Sequence, residues 1–85
     1  MIKAWSDDAW NDCMYWHDKN DKVVIKKINR LIKDIQRSPY EGMGKPEPLK
    51  YELSGKWSHR ITDEHRLIYN VDDTTIYFYS VKDHY

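Results

Sequence analysis

The spacing of apolar residues changes along the chain, from a helical period in its first half to alternation in its second. Ile2-Lys3-Ala4-Trp5 alternates and predicts a short strand, after which Ser6-Asp7-Asp8 has the form of a helix N-terminus. A serine hydroxyl there can accept from the first free amides, and two early acids suit the positive end of the helix dipole. Trp10, Cys13, Met14 and His17 recur at helical spacing, so a first helix is expected to run to about Asp18. Asn20-Asp21 is a break and a second cap. Beyond it Val24, Ile25, Ile28, Leu31, Ile32 and Ile35 follow an i, i+3, i+4 stripe, the clearest helix signal in the chain.

Pro39 ends that helix, and Ser38 to Lys50 reads as a loop of turn formers that holds all three prolines and two of the three glycines. A structureless connection of that length is long for a small domain, and long ordered loops are often functional. Period two then takes over. Trp57 to Ile61 and His65 to Tyr69 predict a hairpin around Thr62-Asp63-Glu64, and a second hairpin turns at Asp72-Asp73 into Thr75 to Val81. A two-residue turn at Asp72-Asp73 sets Tyr69 opposite Ile76 and Leu67 opposite Phe78, apolar on apolar. A three-residue turn at Thr62 to Glu64 sets Arg60 across from Arg66 on the other face. The order is β-α-α followed by an antiparallel meander, a single α+β domain over residues 1–85.

Composition narrows the functional classes. Fourteen basic and fourteen acidic residues give a formal net charge of zero, which excludes a uniformly basic RNA-binding module. The charge is unevenly spread, with net −2 over residues 1–20, +4 over 21–37, +1 over 38–60 and −3 over 61–85. A polyanion would therefore meet the second helix and the loop, not the whole surface. Seven Tyr, four Trp and one Phe are a heavy aromatic load, useful both in a small core and at contact surfaces. The single cysteine cannot form an internal disulfide, and the longest apolar runs are four residues, such as Ile76 to Tyr79. A cytoplasmic protein with no membrane association is expected.

Cys13 and His17 stand one helical turn apart, a spacing that can chelate, but no second pair completes a site and Cys13 reads as a small apolar residue. No metal or cofactor is expected. The stretch Glu41-Gly42-Met43-Gly44-Lys45-Pro46 lacks the spacing of a phosphate-binding loop and precedes no helix. Cofactor-free cleavage of RNA by its own 2′-hydroxyl requires a base near that oxygen, a donor for the leaving 5′-oxygen and cations around the phosphorane. Glu47, Lys50, Arg60, Arg66 and the His84-Tyr85 pair are residue types that fit. Taken singly, each has a plainer reading as a solvated acid, a charged sheet face or a frayed terminus.

Together the segments are more specific. Gly44-Lys45-Pro46-Glu47-Pro48-Leu49-Lys50, Leu53-Ser54-Gly55, the run Trp57 to Tyr69 and the final His84-Tyr85 resemble the YoeB toxins of the RelE-like superfamily. Trp5-Ser6, Lys26-Lys27-Ile28-Asn29 and Leu31-Ile32-Lys33-Asp34 match as well, so the resemblance spans essentially the whole chain. It implies a microbial-ribonuclease-like fold, two N-terminal helices packed on a twisted antiparallel sheet. It implies a ribosome-dependent mRNA endonuclease of a type II toxin–antitoxin system, held inactive by a cognate YefM-like antitoxin. Carried over by position, Glu47 is the general base, His84 the general acid and Arg66 the cation at the transition state. Lys50, Arg60 and Tyr85 support the phosphate or orient substrate, and Glu64 orients the arginines.

The expected partners are the 70S ribosome with its mRNA and ribosomal RNA, met by the basic second helix through Lys26, Lys27 and Arg30. An acidic, partly disordered antitoxin segment suits the basic loop and sheet face, and Tyr40, Tyr51 or Tyr79 could anchor it or a homodimer contact. Two competing readings are a ParE-like toxin that binds a protein target and a blocker that occupies the ribosomal A site without cutting. The joint presence of Glu47, Arg66, His84 and Tyr85 favours the nuclease. His59 stands where relatives commonly carry a basic residue, which lowers the charge expected beside Arg60, and Asp83 sets a carboxylate next to His84. A regular strand from Thr75 would put Tyr85 but not His84 on the face of Arg66, so a bend or bulge near Val81 to Asp83 is expected.

Overall fold

Ser6 and Asp21 start the two helices of the computed structural model, which describes residues 1–40 and 46–83. A first strand, β1 (Ile2–Trp5), leads into α1 (Asp7–Asp18), where the Ala9 amide donates to Ser6 Oγ at 3.0 Å. Asp21 Oδ1 accepts from the Val24 amide at 3.1 Å and opens α2 (Lys22–Arg37). The link between the helices is short because one residue serves both ends. Asp21 N–H reaches back to Trp16 O (3.1 Å) and Asn20 N–H to His17 O (3.0 Å), the bond pair that closes a helix around a left-handed residue. Asn20 takes that role with φ 54°.

The second half forms β2 (Glu47–Pro48), a single 3-10 turn at Tyr51–Leu53, β3 (Trp57–Arg60), β4 (Arg66–Val71) and β5 (Thr75–Ser80). The five strands make one sheet in the order β1-β5-β4-β3-β2. The expected antiparallel sheet is thus mixed, because β1 joins the far edge parallel to β5, with Ile2 opposite Thr75 and Trp5 opposite Phe78. Part of the expected loop is also strand: Glu47 and Pro48 pair with Ser58 and Trp57. Leu49 N–H donates to Lys56 O at 2.9 Å, so Pro48 opposite Trp57 occupies a position from which the ladder needs no donor.

The β3–β4 register is the expected one, with Arg60 opposite Arg66. At the second hairpin it is displaced by two residues, Val71 facing Ile76 and Tyr69 facing Phe78. Asp72 widens that turn, since its Oδ1 accepts from the Thr74 and Thr75 amides at 2.9 and 2.8 Å while Tyr77 Oη donates to Oδ2 at 2.7 Å. These bonds, led by the Thr74 amide, hold the Asp72 carboxyl below its ordinary value. A shift of two preserves the faces, because side chains alternate with period two.

Helices and sheet enclose the core on one face. Val24, Ile28, Leu31, Ile32 and Ile35 of α2 meet Leu67, Tyr69, Ile76 and Phe78 of the sheet. The α1 stripe is rotated from the expected one. Ala9 and Trp16 are buried and Cys13 is half-buried, while Trp10 is 50% exposed and meets Trp5 edge-on at 6.3 Å. Ala9 is fully covered, and the start of α1 is tied to β5 by Ser6, whose N–H bonds Phe78 O at 3.0 Å. No described helix is long and apolar enough to cross a membrane.

Of the polar side chains buried among the described residues, Asp34, His59, Thr75 and Ser80, His59 is the most enclosed. His59 is fully buried with neither ring nitrogen hydrogen-bonded, and Asp34 Oδ2 of α2 lies 3.7 Å from Nε2, an electrostatic contact rather than a hydrogen bond. It therefore does not lie beside Arg60 as a surface residue; alternation turns it to the opposite face. Burial holds its imidazole below the ordinary value, against the pull of Asp34 and with a smaller push from Lys27. An unfolded imidazole titrates near pH 6.5, so just below that the unfolded chain binds a proton that the folded chain refuses. Stability should accordingly fall as pH drops through about 6.5. Urea midpoints taken at pH 7.5 and 5.5 should decline less in His59→Phe than in wild type; equal declines would remove His59 as the cause.

Candidate active site

The face of the sheet turned away from the helices carries the charged residues. Cross-strand partners share a face, so the pairings Glu47–Ser58–Ile68 and Arg60–Arg66 set two adjacent rows on that side. Strand and residue spacings place the Glu47 and Arg66 Cα atoms roughly 12 Å apart across β3, within joint reach of one nucleotide for side chains of this length. Glu47 is held there by prolines on both sides, in an exposed edge strand. Lys56, the residue before β3, lies over the Tyr79 ring at 4.2 Å.

Two arginines directly opposite each other are unfavourable unless something anionic or dipolar faces them. The β3–β4 turn supplies part of this. Arg66 Nη1 donates to the carbonyls of Thr62, Asp63 and His65, and Arg60 Nη1 lies 3.6 Å from the Asp63 carboxylate. Arg60 remains 59% exposed and its Asp63 partner 96%, so water screens that pair. The residual positive charge forms an anion-attracting corner at the end of the hairpin.

The end of β5 is brought to the same corner by a set of clamps. Tyr79 is the extra residue of a bulge, because β4 Tyr69 pairs with Phe78 while Ile68 pairs with Ser80. The interruption expected near Val81 to Asp83 thus begins earlier, at Tyr79, and continues as a bend through Asp83. The bulge sends Val81 into the core, fully buried. From α1, Trp16 Nε1 donates to Val81 O at 2.9 Å, and Asp12 Oδ2 accepts from Val81 N–H and Ser80 Oγ, each at 3.2 Å. From the start of β4, Arg66 N–H donates to Asp83 O (2.8 Å) and Asp83 N–H donates to His65 Nδ1 (2.8 Å). Asp83 sits in the left-handed region with φ 60°, uncommon outside glycine and most tolerated by Asn and Asp.

A model of the YoeB-like toxins of bacterial type II toxin–antitoxin systems matches residues 5–85. The chain belongs to the YoeB toxin family. It is 54% identical to toxin YoeB of Escherichia coli strain K12 over 85 residues, which cover both chains entirely. YoeB in the YoeB-YefM complex from Staphylococcus aureus superposes with a TM-score of 0.90 at 46% identity, covering 100% of this chain and 98% of that one. The Staphylococcus aureus YoeB dimer gives 0.91 at 48%, with the same coverage. The protein is therefore the toxin of a type II toxin–antitoxin system.

For a YoeB toxin, the residues that the sequence singled out fall into distinct groups. Glu47, Arg60 and Arg66 share the open face. Lys50 is exposed but follows the Leu49–Lys56 bond, at the other end of β2 from the arginines. Glu64 is 87% exposed and its carboxylate lies 3.9 Å from His65 Nε2, while the acid paired with Arg60 is Asp63. The Asp83 carboxylate lies 3.8 Å from Lys82 Nζ and 3.9 Å from His65 Nδ1. His84, Tyr85 and Lys45 lie outside the described residues. On α2, Lys26 and Arg30 are exposed and Lys27 is half-buried. Tyr40 and Tyr51 are exposed, whereas Tyr79 is half-buried.

Cys13 and His17 behave as helix residues. The His17 ring bonds the Cys13 carbonyl at 2.9 Å, with Sγ 3.8 Å away, and burial pushes the Cys13 thiol up, away from nucleophilic use. Cys13 also lines a cavity of about 60 Å³ with Trp5, Trp16, Ile25 and Ile28. Among the described residues no group of three His, Cys, Asp or Glu side chains converges on a metal position. The sequence reading missed Asp12, Trp16 and His65. Each looks like an ordinary helix or strand residue, and only the fold brings them to Ser80, Val81 and Asp83.

Proposed function

We propose that this toxin is a ribosome-dependent endoribonuclease that cuts mRNA in the ribosomal A site and thereby stops translation. The observation that carries the reading is the Arg60–Arg66 pair facing one another on the open sheet face, in the row beside Glu47. A scissile phosphate satisfies that pair. In the reaction, Glu47 takes the proton of the 2′-hydroxyl and the freed oxygen attacks the adjacent phosphorus. The bond to the 5′-oxygen breaks, His84 protonates it, and the products are a 2′,3′-cyclic phosphate and a 5′-hydroxyl. Arg66 faces the charge that builds on the phosphorane, where a preorganised donor contributes most. Arg60 and Lys50 hold the flanking backbone, Asp63 rather than Glu64 pairs with Arg60 in the turn, and Tyr85 stacks on an unpaired base.

Zero net charge gives weak attraction to RNA at large, so affinity must come from a defined ribosomal surface. We assign that contact to the exposed Lys26 and Arg30 of α2, with Lys27 at their border. A YefM-like antitoxin would quench the toxin by covering the arginine corner, as an acidic segment can. By likeness to the Staphylococcus aureus protein, a homodimer is a further assembly of the free toxin. A substrate engaged in translation sets the location as cytoplasmic.

Primer extension on mRNA programmed into 70S ribosomes tests the reading. Wild type should give cuts confined to the A-site codon, His84→Ala should give none, and RNA without ribosomes should stay intact. A translation stop on uncut mRNA would make the protein an A-site blocker, and cutting of free RNA would remove the ribosome as activator. Charge reversal at Lys26 and Arg30 should raise the toxin concentration needed for half-maximal cutting, while the fold is unchanged.

A further inference from the structure

We propose that His65 is a positioning residue for cleavage, holding through its Nδ1 the backbone on which His84 hangs. The inference rests on the nuclease reading above but concerns a residue given no role there. Asp83 is gripped at both of its peptide groups by two consecutive residues: its N–H by the His65 ring (2.8 Å) and its C=O by the Arg66 amide (2.8 Å). These bonds hold a non-glycine residue at φ 60°, a conformation that an unrestrained chain end would leave.

His65 is itself fixed. Its side chain is only 17% exposed, and the buried Trp16 ring meets it edge-on at 4.8 Å. Trp16 also bonds Val81 O, so one indole braces both the imidazole and the strand end it holds. Accepting the Asp83 amide on Nδ1 places the proton of the neutral ring on Nε2, which faces Glu64 Oε2 at 3.9 Å. The imidazole thus acts as an acceptor, and its removal leaves the Asp83 N–H without that partner and the bend without its grip. A general acid must lie within hydrogen-bonding reach of the leaving oxygen, so a displacement of about 1 Å can lower the rate on the order of 10²-fold.

Two variants separate the acceptor from the packing. His65→Phe keeps a ring against Trp16 and removes the acceptor. His65→Asn keeps an acceptor near the place of Nδ1 and gives up the ring. On programmed ribosomes at saturating toxin, His65→Phe should cut roughly 10- to 100-fold more slowly, with the half-saturating toxin concentration unchanged. His65→Asn should retain most of the rate although it loses more stability. Hydrogen exchange of the Asp83 amide, read by NMR on the full chain, should be slow in wild type and His65→Asn and fast in His65→Phe. Full activity in His65→Phe, or losses in both variants that follow their melting temperatures, overturns the positioning role. Unchanged Asp83 protection in His65→Phe overturns it whether or not the protein cuts RNA. Uncut mRNA with wild type counts against the nuclease reading instead, and with it the catalytic half of this proposal.

Discussion

Arg66→Ala is expected to slow mRNA cutting on programmed ribosomes by roughly 10²- to 10³-fold, the usual effect of deleting one donor aimed at transition-state charge. The substitution removes a guanidinium from the open face but leaves the Arg66 amide and its bond to Asp83 O in place. The chain end therefore keeps that grip, and the loss falls on the phosphate side of the reaction. The same change deletes the Nη1 bonds to the Thr62, Asp63 and His65 carbonyls. These lie in a turn that water reaches, so the cost should be about 1 kcal/mol, or roughly 4–8 °C of melting temperature for a domain of this size. A small domain commonly retains several kcal/mol, so at the assay temperature nearly all of the variant stays folded and lost population cannot explain a hundredfold slower cut. Arg66→Lys sharpens the test. A lysine restores the charge without the planar fork, so it should recover part of the rate and not all of it. Wild-type rates in Arg66→Ala would remove Arg66 from the chemistry.

The face that holds Arg66 was legible from alternation alone. Once Thr62 to Glu64 is a three-residue turn, Arg60 must oppose Arg66, and the structure has that register. The helices were legible for a similar reason, since Ser6 and Asp21 are strong caps and the α2 stripe is nearly continuous. Three features were not. The parallel β1–β5 pairing depends on where α1 and α2 return the chain, which no local pattern encodes. The second hairpin was displaced by two residues because the Asp72 carboxylate can close a wider turn than its dipeptide suggests, and faces survive such a shift unnoticed. On α1 the spacing of Trp10, Cys13, Met14 and His17 marks a helix but not its buried face, which runs through Ala9 and Trp16 instead. Alanine at position 9 has little apolar surface to advertise, yet it is fully buried in the core cluster. His59 was read only for the charge it takes from its surroundings, whereas its position in β3 turns it to the face opposite Arg60, fully buried.

Trp16→Ala should destabilise the fold severely. Trp16 is 5% exposed and belongs to the core cluster, and truncating such an indole typically costs about 3–5 kcal/mol. At about 4–8 °C per kcal/mol, the melting temperature should fall by at least roughly 12 °C, a large share of the stability a domain of this size holds. The hydrogen bond is separable from the volume. Trp16→Phe refills most of the space but leaves the Val81 carbonyl, which accepts Nε1 at 2.9 Å in a buried setting, without that donor. That should cost about 1–3 kcal/mol. The two variants then differ in kind: the alanine loses folded protein, whereas the phenylalanine stays folded and loosens the end of β5. Thermal melts followed by circular dichroism give the first quantity, and cutting rates per folded molecule give the second. If Trp16→Phe melts lower but cuts like wild type per folded molecule, the indole bond serves stability alone. If the rate per folded molecule also falls, then α1, which carries none of the reacting groups assigned here, sets the geometry of the acid from the opposite side of the sheet.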